Sequence, residues 1–283
     1  MTSNTNHAID ELTTTMFCEH FAFTGLPFFR SVRPEQVFPT VRLESALSRL
    51  QMLLTTREIG VVIGESGVGK TTLLDLFLSH VFVSHYRIIS LPTSQSKPRE
   101  LYRAAATALG ASPVGANALK IVNLLTHSHM ESNRPNLLIL DEAQLLSPAC
   151  LNELRLLSNI QEKHEPLVIL ILFGQPQLAS NLKLPDMAPL AQRISVWITL
   201  EGLSEDETCG YIHWQLKNAG AARPEDVFLP AVKTAIHRWT NGTPRKINRA
   251  AWECLNQACL EGAHVVTEEI FQTVCKILGP RLT

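Results

Sequence analysis

The sequence predicts an α/β domain, a parallel five-stranded sheet flanked by helices, followed by a small all-helical domain. Three observations carry that prediction. A short apolar run, Val61-Val62-Ile63, leads into Gly64-Glu65-Ser66-Gly67-Val68-Gly69-Lys70-Thr71, and then Leu73, Leu74, Phe77, Leu78 and Val81 recur at helical spacing. A second apolar run, Leu137 to Leu140, ends in adjacent acids, Asp141 and Glu142. A strand buried on both faces delivers side chains in this way to the C-terminal edge of an open sheet, where such sheets bind ligands. Beyond Leu203 strand-like runs stop and helix starts recur.

The chain of 283 residues is 45% hydrophobic, enough to bury one large core and a smaller one. Its net charge of -1 announces no polyanion partner, so a nucleic-acid surface would have to come from local clustering. The six cysteines form no C-x-x-C pair, and the first 30 residues lack a basic start followed by an apolar signal core. A reduced, cytoplasmic protein is the expectation. No apolar run approaches the ~20 residues of a membrane span, so no membrane partner is expected. His127 and His129 stand without further clustered ligands and read as surface residues rather than a metal site.

Three segments follow from the pattern: an arm over 1–40, the α/β domain over 41–202 and the helical domain over 203–283. The arm is polar and without period to about Thr15, where mobility is expected. It then carries Phe17, Phe21, Phe23, Phe28, Phe29 and Phe38. So many rings in water would form a sizeable apolar patch, so they should pack on the chain's own core or on a neighbouring subunit.

Arg42 to Thr55 follows as a helix, with Leu43, Ala46, Leu47, Leu50 and Leu54 on one face. After the glycine-rich loop and its helix come a strand at Arg87 to Leu91, a loop at Pro92 to Lys97, a helix at Pro98 to Leu109 stopped by Gly110, and a helix at Asn117 to Met130. Ser147-Pro148 opens a helix predicted to run to about Lys163, with Leu151, Leu154, Leu157 and Ile160 inward. Leu167 to Phe173 is a wholly apolar strand running into Gly174-Gln175, and Arg193 ends a short helix before a last strand, Ser195 to Leu200.

In the helical domain, Ser204-Glu205-Asp206-Glu207 is a capping box for a helix to about Asn218, and Pro230, Thr243-Pro244 and Thr267 open three more. Arg245 falls in a helix's first turn, where a cation opposes the helix dipole unless an anion is near.

The loop fits G-x-x-x-x-G-K-[ST] at every position. Glycines let its backbone wrap phosphate oxygens, and the following helix adds unpaired N–H groups and the positive end of its dipole. Gly64, Glu65, Ser66, Gly67, Val68, Gly69, Lys70, Thr71 and Thr72 are therefore the predicted nucleotide site. Lys70 would reach the β and γ phosphates and Thr71 would ligate Mg²⁺. Asp141 would hold the same ion through its water shell, and Glu142 would be the base that polarises the attacking water. Gln175 would stand between the loop and Asp141 if its strand lies between theirs, positioning the water or sensing the γ-phosphate; its alternative role is capping the turn.

The phenylalanine arm, LLILDEAQ, FGQPQL followed by LAQRI, and NGTPRKINR together resemble the AAA+ ATPases over roughly Phe17 to Leu278. The likeness is to the branch that contains the type II secretion ATPase ExeA (GspA) and the transposition ATPases MuB and TnsC. It implies ATP and Mg²⁺ as ligands, with a lid formed by the helical domain. Arg193 would be the arginine finger reaching the nucleotide of an adjacent subunit. Arg245 would be sensor 2, supplying the anion its helix position asks for, and Gln175 falls at sensor 1, where many relatives carry Asn or Thr. The adenine pocket is sought at Val37 to Arg42.

Related ATPases contact duplex DNA from the region after the second strand, where Arg87, Lys97, Arg99 and Arg103 face only Glu100. Lys97 and Arg99 beside Ser94, Gln95 and Ser96 suit phosphate contacts, with Lys120 a further candidate. ExeA-type proteins carry a membrane span and a periplasmic domain after the lid; the sequence to Thr283 shows neither. The expectation is an ATP-dependent homo-oligomer, ring or filament, on double-stranded DNA without strong sequence preference. It would recruit a DDE-type transposase and accessory transposition proteins. The alternatives are a secretion-type ATPase acting on protein partners and a nucleotide-gated scaffold that barely turns over.

Overall fold

The computed structural model describes residues 15–28, 33–92, 97–162 and 164–279. Its contacts divide the chain into a unit of residues 41–200 and a unit that joins the described residues before 41 to those from 201 onward. Residues 15–21 form helix α1 of the second unit.

The first unit begins with α2 (Val41–Thr56), β1 (Ile59–Gly64), α3 (Lys70–Ser79), β2 (Arg87–Leu91), α4 (Pro98–Ala108) and α5 (Ala118–Ser132). It continues with β3 (Asn136–Leu140), α6 (Pro148–Leu157), the two-residue strands β4 (Gln161–Glu162) and β5 (Glu165–Pro166), β6 (Val168–Gly174), α7 (Pro176–Leu182), α8 (Ala188–Ala191) and β7 (Ile194–Leu200). Five strands form one parallel sheet in the order β2-β3-β6-β1-β7.

The three central strands are buried at every position. That is why they read as unbroken apolar runs. Alternation sends Leu138, Leu140, Leu170 and Leu172 into one core and Leu137, Ile139, Ile169 and Ile171 into another, each covered by helices. At the edge, β7 keeps alternation, with Val196 and Ile198 buried between exposed Ser195 and Thr199.

The helix opened by Ser147 stops earlier than its sequence period suggests. Ser147 Oγ accepts from Cys150 N at 3.2 Å, but α6 ends at Leu157. Ser158 stands at the C-cap with its hydroxyl turned back to Arg155 O at 2.7 Å. A Ser-Asn pair competes for the backbone in this way, and it overrides the apolar period that Ile160 continues. The chain instead reverses through β4 and β5, a hairpin tied down by Arg57 Nη1 donating to Glu165 Oε2 at 2.8 Å. Lys163, the expected helix end, lies outside the described residues.

The second unit adds α9 (Glu205–Asn218), α10 (Pro224–Val227), α11 (Pro230–Thr240), α12 (Pro244–Leu260) and α13 (Glu268–Leu278). Ser204 and Glu207 form a reciprocal capping box, the Ser204 hydroxyl accepting from Glu207 N at 3.2 Å and the Glu207 carboxylate from Ser204 N at 2.8 Å. The single turn α10 went unread in the sequence. Thr267 occupies the N-cap of α13 without a capping bond from its side chain.

The arm's rings enter this helical core. Phe17, Phe23 and Phe28 are each 6% exposed. The Phe17 ring lies 4.8 Å from Trp252, and Phe38 meets Tyr211 edge-on at 5.7 Å. Phe29 and the residues before 15 lie outside the described residues. All six cysteines are free thiols. Among the described residues no helix is long and apolar enough to cross a membrane.

Candidate nucleotide-binding site

The glycine-rich loop closes between the end of β1 at Gly64 and the start of α3 at Lys70. Gly67 has φ 84° and Gly69 φ 108°, backbone states that side chains rarely tolerate, so the turn needs glycine at both. Gly69, at the N-cap of α3, brings no side chain to cap it. The first turn of that helix therefore suits an anion, and a wrapped phosphate is the group this geometry fits.

Lys70 is 5% exposed, and its Nζ donates to Gly64 O at 2.8 Å and Glu65 O at 3.1 Å. The ammonium is thus fixed within the loop it serves. Thr71 stands exposed directly after it.

Opposite elements supply the carboxylates. β3 ends at Leu140, and Asp141 Oδ1 accepts from Glu142 N at 2.8 Å. Glu142 has φ 53°, a left-handed state that costs a non-glycine residue ~1–3 kcal/mol and is retained where the surroundings enforce it. A turn of 3₁₀ helix, Ala143–Leu145, follows and brings Gln144 back over the Glu142 carboxylate. Glu142 Oε2 accepts from Gln144 Nε2 at 2.6 Å and from Gln175 Nε2 at 3.1 Å. Gln175 is the N-cap residue of α7, and its backbone N–H donates to Gln144 Oε1 at 3.0 Å.

The strand order explains this meeting. β6 lies between β3 and β1, pairing Leu172 with Leu140 on one side and Gly174 with Ile63 on the other. Gln175 therefore stands between the Asp141 end and the glycine-rich loop. Thr71 and Asp141 are the residues able to take a divalent cation. Among the described residues no three His, Cys, Asp or Glu side chains cluster, so such an ion would lean on phosphate oxygens as well.

Arg193 is exposed directly before β7, and Arg245 is exposed in the first turn of α12, which holds no acid. Lys97, Arg99 and Arg103 are exposed along the start of α4, while Ser94, Gln95 and Ser96 lie outside the described residues.

Two members of the expected basic surface are engaged elsewhere. Arg87 bonds Ser128 Oγ and, through Nη2, Leu109 O at 3.1 Å, so it joins the ends of two helices. Lys120 Nζ donates to Ser112 O at 2.8 Å and Val114 O at 3.0 Å, pinning its own loop. His127 pairs with Glu131 at 3.4 Å, and His129 Nδ1 contacts Arg134 O at 2.9 Å. Gln144 is the site residue that sequence reasoning missed. Nothing in its spacing from Glu142 signals that a tight turn folds it back.

Comparison with known proteins follows from this geometry. Residues 53–182 match the family model described as AAA domain. The chain is 29% identical over 272 residues to general secretion pathway protein A of Aeromonas hydrophila, a match covering 94% of this chain and 49% of that protein. The chain thus spans about half the length of that relative. Among solved structures, the Aeropyrum pernix ORC2 protein in its ADP form superposes with a TM-score of 0.65 at 17% identity, covering 88% of this chain and 71% of the other. The Aeropyrum pernix ORC1 protein in complex with DNA gives 0.62 at 17% identity, covering 86% and 67%. Residues 53–182 thus carry an AAA domain match, the fold is the one those solved structures share, and the sequence is similar to a protein named for general secretion.

Proposed function

We propose that this chain is an ATP-hydrolysing switch that assembles with copies of itself and, when assembled, engages duplex DNA. The observation that supports it best is the Glu142 carboxylate fixed at the end of β3, two strands from the loop that carries Lys70. In this reading Gly64 to Thr72 hold the phosphates, and Thr71 and Asp141 hold Mg²⁺. Bound there, Mg²⁺ supplies neutralising charge. Glu142 accepts a proton from the attacking water, and Gln175 keeps the carboxylate and water in line. Arg193 completes the site of a neighbouring subunit and Arg245 acts from the helical lid, taken as 203–283, so turnover depends on assembly.

Lys97, Arg99 and Arg103 supply non-specific phosphate contacts, a use consistent with their exposure. Assembled on DNA, the protein presents a surface that recruits a DDE-type transposase. The test is retention of random-sequence duplex DNA with ATP, with ADP and without nucleotide, alongside electron microscopy using a non-hydrolysable ATP analogue. Ordered assemblies that need the triphosphate and fade steeply with salt support the proposal; equal or absent retention removes its DNA half.

The 29% match to a protein named for general secretion favours a second reading, an ATPase acting on protein partners. ATP turnover indifferent to DNA but raised by components of a secretion apparatus would select it.

A further inference from the structure

We propose that Gln144 is a positioning residue for the hydrolytic step, locking the Glu142 carboxylate to the head of α7. The proposal rests on the reading of this site as hydrolytic. The carboxamide works at both ends: Nε2 donates to Glu142 Oε2 at 2.6 Å, while Oε1 accepts from Gln175 N at 3.0 Å. Gln175 Nε2 then donates to the same Glu142 oxygen at 3.1 Å, closing a ring through three residues. Two donors converging on one oxygen fix the carboxylate's rotation as well as its place.

The neighbouring backbone is shaped around this contact. A Cβ on Gly174 would come within 3.2 Å of Gln144 Oε1 and 2.7 Å of Leu178 Cδ2, so the bare backbone there lets the carboxamide lie against the strand end. Glu142 holds a left-handed backbone state, φ 53°, at the turn where this contact forms. A carboxamide carries a donor and an acceptor side by side on one rigid plane. Glutamate would keep the acceptor and lose the donor; methionine keeps the length and loses both.

The test uses the full chain with ATP and Mg²⁺, comparing wild type, Gln144→Met, Gln144→Glu and Glu142→Gln in kcat, KM and melting temperature. Gln144→Met is expected to lose about ten- to a hundredfold in kcat, with KM within about twofold, because a misplaced base slows the step without weakening nucleotide binding. Gln144→Glu, which keeps an acceptor toward Gln175 N and loses the donor toward Glu142, is expected to show the same split of kcat from KM. A structural role alone would lower the melting temperature and leave kcat of the folded protein in place. Wild-type kcat in Gln144→Met, or a KM that rises as far as kcat falls, overturns the proposal. Glu142→Gln turning over as fast as wild type would instead sink the hydrolytic reading beneath it.

Discussion

In the α/β unit, polar side chains at the strand ends bond to one another around a single carboxylate; in the helical unit, phenyl and indole rings fill the middle, and polar pairs such as Tyr211 with Asn248 join one helix to another. Glu142, Gln144 and Gln175 exchange three hydrogen bonds beyond the ends of β3 and β6. Phe17, Phe23 and Phe28 are sequestered with Phe228 and Ile236 among the helices. A polar network of that kind fixes geometry at a stability cost, because each member must be satisfied. An aromatic core fixes stability and leaves the surface chemically open. The contrast teaches where each unit is sensitive: chemistry should fail at substitutions in the first, and folding at substitutions in the second.

The largest effect expected is in the first unit. Glu142→Gln should lower ATP turnover by roughly 10²–10⁴-fold, the range for removing a general base, while a fluorescent ATP analogue binds as before. Calorimetry of the variant should show a near-unchanged melting temperature, because glutamine fills the same volume. A loss of stability with turnover intact would break the comparison by making the strand-end network a packing feature.

How much of this was legible follows the same divide. The glycine-rich loop and its helix are neighbours in the chain, so their spacing encoded their geometry. The placement of Gln175 was conditional on strand order, which no local pattern contains; the sheet supplies it by setting β6 between β3 and β1. Gln144 depends on a left-handed residue followed by a tight turn, and a glutamate gives no sequence sign of adopting φ 53°. Counting charges placed Arg87 and Lys120 on a basic surface, but a count says nothing about which carbonyls lie within reach. The helix after Ser147 was overrun because Ile160 kept its period while Ser158 ended it.

The next effect belongs to the helical unit. Phe17→Ala should destabilise it by ~3–5 kcal/mol, since a ring held against Trp252 leaves a cavity that the helices close only in part. Tryptophan fluorescence during urea unfolding suits the measurement. Trp214, Trp239 and Trp252 report on this unit, against Trp197 on the other. An unchanged midpoint would mean that the arm adds nothing to the helical core, and the comparison would lose its second term.

A smaller loss, about 1 kcal/mol, is expected from Ser204→Ala, which removes half of a reciprocal cap and leaves the Glu207 N–H without its side-chain acceptor. The same fluorescence assay reads it. Restoration by Ser204→Asp, which offers a carboxylate oxygen at the same N-cap, would assign the loss to capping rather than to packing.

The smallest effect concerns pH at the start of α13. The Thr267 hydroxyl, together with Glu269's own backbone N–H, holds the exposed Glu269 carboxyl below its ordinary value. A carboxylate favoured in the folded state adds stability that is present above the unfolded value and is lost as pH falls through the lower, folded one. Wild type and Glu269→Gln should therefore differ slightly in midpoint at neutral pH and converge in acid, with Thr267→Val reproducing the loss. The reading is the difference between variants at each pH, because every other titrating group cancels in it. A gap that stays constant from neutral pH down into acid would show that Glu269 acts as a helix former and not as a charge, and the polar groups of this unit would then matter for shape alone.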